Sequence, residues 1–342
     1  MPRIQFENYP VATVACFDPT SGELPRRQLD VEANSRFLEK LSAHDVPAVL
    51  IGASTGQGHL RSPEELDSWF RSTSDVDLGN TIKIALLRPE DGEAWNERHA
   101  QTLVESGFDI AFVRPGTGLQ PGTPDSEIAA SMEGCCRAIG EAGLALGVYS
   151  IPDVSGVPLG PDAVAELRER WSEQLVAVKV TEPDYHRSTR RFLGDERMTG
   201  LKIVQGWDPF LAQALNDAPD RCGVTSGPMS FALFQYLHIL ASAQAQDWKE
   251  VERAQGAVTS LFESMQDDPN RFADLQRAKY VMGLGHPLLG EIQPPQVERI
   301  FAALEGLDRD EDRMRMASSL NLMEEGPFAS RLAACQERSN PK

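Results

Sequence analysis

Eight short apolar runs recur along this chain, each followed by an amphipathic segment: Val11–Phe17, Pro47–Ala53, Ile82–Leu87, Asp109–Val113, Leu144–Tyr149, Val176–Thr181, Leu201–Gln205 and Cys222–Ser226. Their starts are 36, 35, 27, 35, 32, 25 and 21 residues apart. Each interval holds a strand, a turn and a helix of about 10–15 residues, so the chain reads as βα repetition around a parallel sheet. The intervening segments carry helix signals. Val31–Ala43 puts Phe37, Leu38 and Leu41 on one stripe, and Asp162–Gln174, after a proline, carries Val164, Leu167 and Trp171. Ser62-Pro-Glu-Glu65 offers a capping hydroxyl, a proline in the first turn and acids against the positive helix end. Eight such units close naturally into a (β/α)8 TIM barrel, with an open doubly wound sheet as the alternative.

More than 110 of the 342 residues follow the eighth run. Met229–Ala243 completes the last βα unit; Trp248–Met265, Phe272–Met282, Pro295–Leu304 and Glu311–Met323 show helical periodicity. The expected division is a barrel over residues 1–245 and a C-terminal helical appendage over 246–342. Asp267-Asp268-Pro269-Asn270 and Gly283–Pro295 punctuate the appendage as loops. The alternating charges of Asp308–Arg315 read as a solvated helix face.

A formal net charge of −18 argues against nucleic acid, which is bound by cationic side chains that release counterions, and against an anionic membrane surface. No run approaches the ~18 apolar residues of a membrane helix. The five cysteines lack metal-ribbon or CxxC spacing, and their odd number does not suit a disulfide framework. No apolar stretch of signal-peptide length follows the first residues, so reduced thiols in a cytoplasmic protein are expected.

The run Val176-Ala-Val-Lys-Val-Thr181 is the most informative. Alternation sets Val176, Val178 and Val180 on one face and Ala177, Lys179 and Thr181 on the other. In a barrel the valines pack under the helices, and Lys179 points inward near the strand's C-terminal end, where barrel active sites are built. Burial there would depress its pKa toward the neutral amine, the nucleophile that condenses with a ketone. A lysine snorkelling from a strand end to water is the competing interpretation. By the same parity Tyr149 faces inward one strand earlier, as a proton-relaying phenol or a buried tyrosine with one hydrogen bond. Ile51-Gly-Ala-Ser-Thr-Gly-Gln-Gly58 lacks the lysine of a P-loop; its hydroxyls, Ser54 and Thr55, sit on a glycine-rich turn that suits a small carboxylate or is simply a βα turn.

Together these segments resemble the dihydrodipicolinate synthase/N-acetylneuraminate lyase family of class I aldolases, nearer its lyase branch. Ala53-Ser-Thr-Gly-Gln-Gly58 is similar to the family's G-S/T-T-G-E turn, and Tyr149-Ser-Ile-Pro-Asp-Val-Ser-Gly156 to its Y-x-I/V-P-x-x-S/T-G segment. Val178-Lys-Val-Thr181 resembles the lysine strand, 30 residues after the tyrosine. Gln205-Gly-Trp-Asp208 resembles the G-Y-D turn after strand seven, and Gly223-Val-Thr-Ser226 the end of strand eight. The resemblance implies an imine between Lys179 and a 2-oxo acid such as pyruvate. Ser54 and Thr55 would hold the carboxylate, and Tyr149 would move protons. Thr181, Gly206, Asp208, Ser226 and Val154 would line the substrate site. No metal or cofactor is implied, and the six histidines show no paired helical spacing. A homotetramer or homodimer is the implied assembly.

The departures are specific. Val154 stands where dihydrodipicolinate-forming members carry an arginine, which points to a hydroxylated, sugar-acid-like substrate. The family's P-x-Y-Y loop after strand four is replaced by Arg114-Pro-Gly-Thr-Gly118, removing the usual partner of the tyrosine. Ala53 and Gln57 replace a glycine and a glutamate of the turn. Four readings therefore stand: a C–C lyase, a dehydratase on a 2-oxo sugar acid, a 2-oxo-acid-binding or structural paralogue without turnover, and a metal-dependent or phosphate-binding barrel of another family, its phosphate near Ser226-Gly-Pro-Met229. Because the expected ligand is an anion, the acidity of the chain is expected on the outer helices and C-terminal region, away from the site.

Overall fold

The computed structural model describes residues 4–266 and 271–338. Eight strands form the barrel: β1 (Ala12–Ala15), β2 (Ala48–Ile51), β3 (Ile82–Leu87), β4 (Ile110–Val113), β5 (Ala145–Ser150), β6 (Leu175–Val180), β7 (Lys202–Gln205) and β8 (Cys222–Ser226). All pairings are parallel and follow chain order, and β1 closes the ring against both β2 and β8. This is the (β/α)8 closure; the open sheet is excluded.

Around the barrel run α1 (Val31–Ser42), α2 (Pro63–Arg71), α3 (Glu93–Glu105), α4 (Asp125–Glu141), the single turn α5 (Pro152–Ser155), α6 (Pro161–Arg170), α7 (Thr189–Gly194), α8 (Leu211–Asp217) and α9 (Leu233–Gln244). The Ser62 signal forms a complete capping box: Glu65 N donates to Ser62 Oγ at 3.3 Å and Ser62 N to Glu65 Oε2 at 2.7 Å. α6 ends four residues before the expected Gln174, because the chain turns at Trp171, whose ring packs where Gly140 leaves room. The segment from Met229 opens with a 3₁₀ turn, and its α-helix begins only at Leu233.

Five further helices follow: α10 (Trp248–Glu263), α11 (Arg271–Val281), α12 (Pro294–Glu305), α13 (Asp310–Leu320) and α14 (Ala329–Arg338), the last with no counterpart in the periodicity reading. The Asp267–Asn270 loop lies outside the described residues. One apolar cluster runs from the outer barrel face (Val14, Ile51, Val178, Ile203) through Leu261, Phe301 and Leu320 of these helices. The charge run is not simply a solvated face. Asp312 is buried, accepts hydrogen bonds from Gln235 and Arg315 at 2.8 and 2.7 Å, and pairs with Arg253. It thereby ties α13 to α9 and α10, a fit that periodicity alone could not register.

Inside the barrel a second cluster gathers Leu50, Ile84, Ile110 and Phe112, closed from below by Ile4 and Tyr9 of the N-terminal segment. Gly147 on β5 is needed here, since a Cβ would lie 2.5 Å from the Phe112 ring. The strand parities hold for β5 but slip once in β6. Leu146 pairs with Leu175 and Gly147 with Ala177, so Val176 is the extra residue of a bulge and joins the inner cluster instead of lying under the helices. Beyond the bulge the alternation is as expected, with Val178 and Val180 outside and Ala177 inside.

Candidate active site

At the C-terminal ends of the strands a cavity of about 580 Å³ opens, and its wall contains Ser54, Thr55, Tyr149, Lys179, Thr181, Gly206 and Asp208. Seven positions singled out by the sequence, drawn from the ends of β2, β5, β6 and β7, thus meet in one volume. Ser226 and Val154 do not line it. Ser226 turns away from the lumen, and its neighbour Thr225 faces the cavity in its place. The alternation of β8 carries that signal, because Cys222 and Val224 belong to the outer cluster and Thr225 has the opposite parity. Likewise Asp153, beside Val154, is the residue of that turn reaching the wall.

Lys179 is only 4% exposed. Burial drives its pKa down to about 7, with the Asp208 charge pulling the other way. Its Nζ lies 3.9 Å from the centroid of the Tyr149 ring. The Tyr149 hydroxyl donates to Thr181 Oγ1 at 3.1 Å, and burial raises its pKa, so the phenol stays protonated. β7 approaches this group closely: a Cβ on Gly206 would meet Thr181 Oγ1 at 2.1 Å and Lys179 Cε at 3.0 Å. Its amide donates to the Val180 carbonyl at 2.8 Å, fixing the strand end.

Ser54 and Thr55 sit on a 3₁₀ turn after β2, and among the described residues neither hydroxyl has a hydrogen-bond partner. The turn is held from behind: Gln276 Nε2 on α11 donates to the Thr55 carbonyl at 2.7 Å, and Gln57 adopts a left-handed φ of 52°. Deeper still, Asp18 accepts from Arg61 at 2.6 Å and from Lys279 at 2.9 Å, all three side chains buried, which clamps α11 onto the barrel mouth.

Asp208 is the second perturbed group. Burial raises its pKa to about 6, against the opposing pull of hydrogen bonds from Ser226 and Tyr236. Ser226 Oγ and Tyr236 OH both bond Asp208 Oδ1, and the two hydroxyls lie 2.9 Å apart. Ser226 also accepts from Met229 N at 3.0 Å. Tyr236 lies on α9, where sequence periodicity marks only a core position.

The charge is not kept away from the site. Asp153, Asp208, Glu263 and Asp274 line the cavity against the one lysine, the last two supplied by α10 and α11. The Arg114 loop contributes no side chain to the wall. Its guanidinium is buried, pairs with Glu90 and donates to the Pro115 carbonyl at 2.9 Å. Among the described residues no group of three or more His, Cys, Asp or Glu could hold a metal ion, and no helix is long and apolar enough to cross a membrane.

No family model and no curated protein sequence matches the chain. Solved structures do. The catalytic lysine mutant of Ruminococcus gnavus sialic acid aldolase superposes with a TM-score of 0.74 at 16% identity, over 93% of this chain and 98% of that one. Dihydrodipicolinate synthase from Aquifex aeolicus gives a TM-score of 0.73 at 17% identity, over 87% and 97%. A Sulfolobus solfataricus 2-keto-3-deoxygluconate aldolase variant gives 0.70 at 16%, over 87% and 96%. At such identities the likeness establishes the barrel with its C-terminal helices.

Proposed function

We propose that this chain is a Schiff-base-forming class I aldolase or lyase of the dihydrodipicolinate synthase/N-acetylneuraminate lyase family, acting on a 2-oxo acid of the pyruvate type. The observation that carries this is Lys179: a sealed lysine at a barrel strand end with its pKa lowered to about 7, sharing a cavity with two uncommitted hydroxyls. A substantial neutral fraction near pH 7 makes its amine nucleophilic where an ordinary lysine is not.

The steps balance without an external reagent. The Lys179 nitrogen adds to C2 of the oxo acid and gives up one of its protons as the carbonyl oxygen gains one, giving a neutral carbinolamine. The C–O bond then breaks as the hydroxyl takes a second proton and leaves as water, and the nitrogen lone pair forms the iminium. Loss of a C3 proton, or cleavage of C3–C4 as the C4 hydroxyl gives its proton to a base and departs as an aldehyde, gives the enamine. Ser54 and Thr55 hold the carboxylate, and Tyr149, always protonated, donates to the oxygen that gains charge.

The acidic wall bears on the substrate. Asp153 and Glu263, with the hydroxyls of Thr225 and Thr259, offer acceptors to a hydroxylated tail and repel a second carboxylate. That favours a sugar-acid-like 2-oxo acid over a dicarboxylate semialdehyde. A homo-oligomer in the cytoplasm accompanies this reading, its size measurable by sedimentation.

A binding protein without turnover is the second reading, favoured by the Arg114 loop, which brings no aromatic hydroxyl to Tyr149. Incubation with pyruvate and borohydride, followed by intact mass and peptide mapping, tests the proposal. A reduced adduct on Lys179 is expected; its absence on a folded chain, with pyruvate and other 2-oxo acids, overturns the assignment.

A further inference from the structure

We propose that Asp208, held by Tyr236 and Ser226, is the group that gives and takes the protons at the Lys179 imine, the task that Tyr149 cannot perform alone in this chain. The inference rests on the Schiff-base reading above and names a residue role within it.

Three observations lead here. First, the Tyr149 hydroxyl is committed to Thr181 Oγ1 at 3.1 Å, and the loop after β4 turns its one ionisable side chain, Arg114, to Glu90 instead of into the cavity. No hydroxyl chain leads from Tyr149 through that loop. A phenol raised by burial can lend its proton but does not exchange it at neutral pH. Second, Asp208 lies on the turn after β7 whose first residue, Gly206, is already within 3.0 Å of Lys179 Cε at its Cβ position, and the carboxyl lines the same cavity as the amine. Third, Asp208 is held from behind. Both donors, Ser226 and Tyr236, bond the same oxygen, Oδ1, so the carboxyl is anchored on one side.

The titratable groups around Asp208 are Lys179 on β6, Tyr149 on β5 and Tyr236 on α9, with Asp153, Glu263 and Asp274 on the cavity wall. Burial moves the two groups toward each other, to about 7 for Lys179 and about 6 for Asp208, against the mutual attraction of their opposite charges. They therefore titrate as a pair, whose apparent values belong to both. The reactive form is the neutral amine beside the protonated carboxyl. Asp208 protonates the departing carbinolamine hydroxyl, and water leaves. The resulting carboxylate, now beside the iminium cation, takes the C3 proton to form the enamine, which restores the acid. Tyr236 touches no reacting atom and is a positioning residue.

Pyruvate itself is the probe. Its methyl protons exchange with solvent deuterium only if the enamine forms and returns, and proton NMR follows the loss of the methyl signal across pD. With wild-type chain a bell-shaped profile is expected. Asp208→Asn should slow exchange by about 100-fold while borohydride still yields the Lys179 adduct, and the surviving rate should plateau at high pD instead of falling. Tyr236→Phe removes a donor to the carboxylate, raising its pKa, so the limb due to Asp208 should move to higher pD. If adduct forms but exchange in Asp208→Asn keeps the wild-type rate and profile, Asp208 has no part in the proton transfers. Should Asp208→Asn fail to fold, Tyr236→Phe decides: a lower rate on an unmoved profile assigns a merely structural role and overturns the inference. No adduct on the folded wild-type chain overturns the Schiff-base reading, and this inference with it.

Discussion

The Lys179 amine lies over the face of the Tyr149 ring, 3.9 Å from its centroid, while the hydroxyl of that ring bonds Thr181 two residues beyond the lysine. The ring partly offsets the lost hydration of any ammonium that forms, and the residue lines the cavity that the lysine also lines. Tyr149 therefore serves Lys179 in two separable ways, one through its face and one through its oxygen.

Tyr149→Phe keeps the face and removes the oxygen. The Lys179 adduct with pyruvate should still form, with methyl exchange slowed by about 10–100-fold from loss of a donor to the carbinolamine oxygen. Trapping rate and exchange rate measured on the same preparation check this; an unchanged exchange rate clears the hydroxyl of any role.

Gly206→Ala places a methyl 2.1 Å from Thr181 Oγ1 and 3.0 Å from Lys179 Cε. Either the strand end or the lysine must move, so adduct formation should be lost or strongly reduced while the far-ultraviolet circular dichroism stays that of the native barrel. Full adduct formation would show that the close approach of β7 is dispensable.

Lys179→Met should stabilise the protein at neutral pH. The folded-state pKa of about 7 lies below the ordinary 10.5, so between these values the unfolded chain binds a proton that the folded chain lacks. Wild-type stability therefore rises with pH across that window, and the penalty is complete below about 7. The variant should melt higher at pH 6.5, by a margin on the order of a few kcal/mol, shrinking toward zero near pH 10. Thermal melts of both proteins across that range suffice. A gap that does not narrow with pH contradicts a neutral buried amine.

Asp312→Ala removes the acceptor shared by Gln235, Arg253 and Arg315. The two arginine side chains are 29% and 20% exposed and can partly rehydrate, so a cost of about 1–3 kcal/mol is expected, below that of a fully buried pair. Urea unfolding measures it. A midpoint within error of wild type would mean the network joining α13 to α9 and α10 adds nothing.

The parity of β5 and β6 was legible from side-chain alternation, and it put Tyr149 and Lys179 in the lumen correctly. Val176 escaped it because a bulge inserts one residue without changing composition, and a period of two cannot register a skipped pairing. Asp312 escaped as well: its charge looked like surface until α9 and α10 closed over it.

By itself the sequence determined the barrel, because the apolar runs with helical segments between them admit few other ways to bury both faces of every strand. It also determined which strand ends carry the lysine, the tyrosine and the two hydroxyls, since alternation is a local property. Tertiary structure alone decided the chemistry of Asp208. Its raised pKa comes from burial, opposed by the hydrogen bond from Tyr236, 28 residues away on a helix whose pattern says only that it packs. Likewise the sequence total of charge could not say that carboxylates from α10 and α11 would reach the cavity wall. A pKa depends on what surrounds a group in space, and only the folded chain brings those groups together.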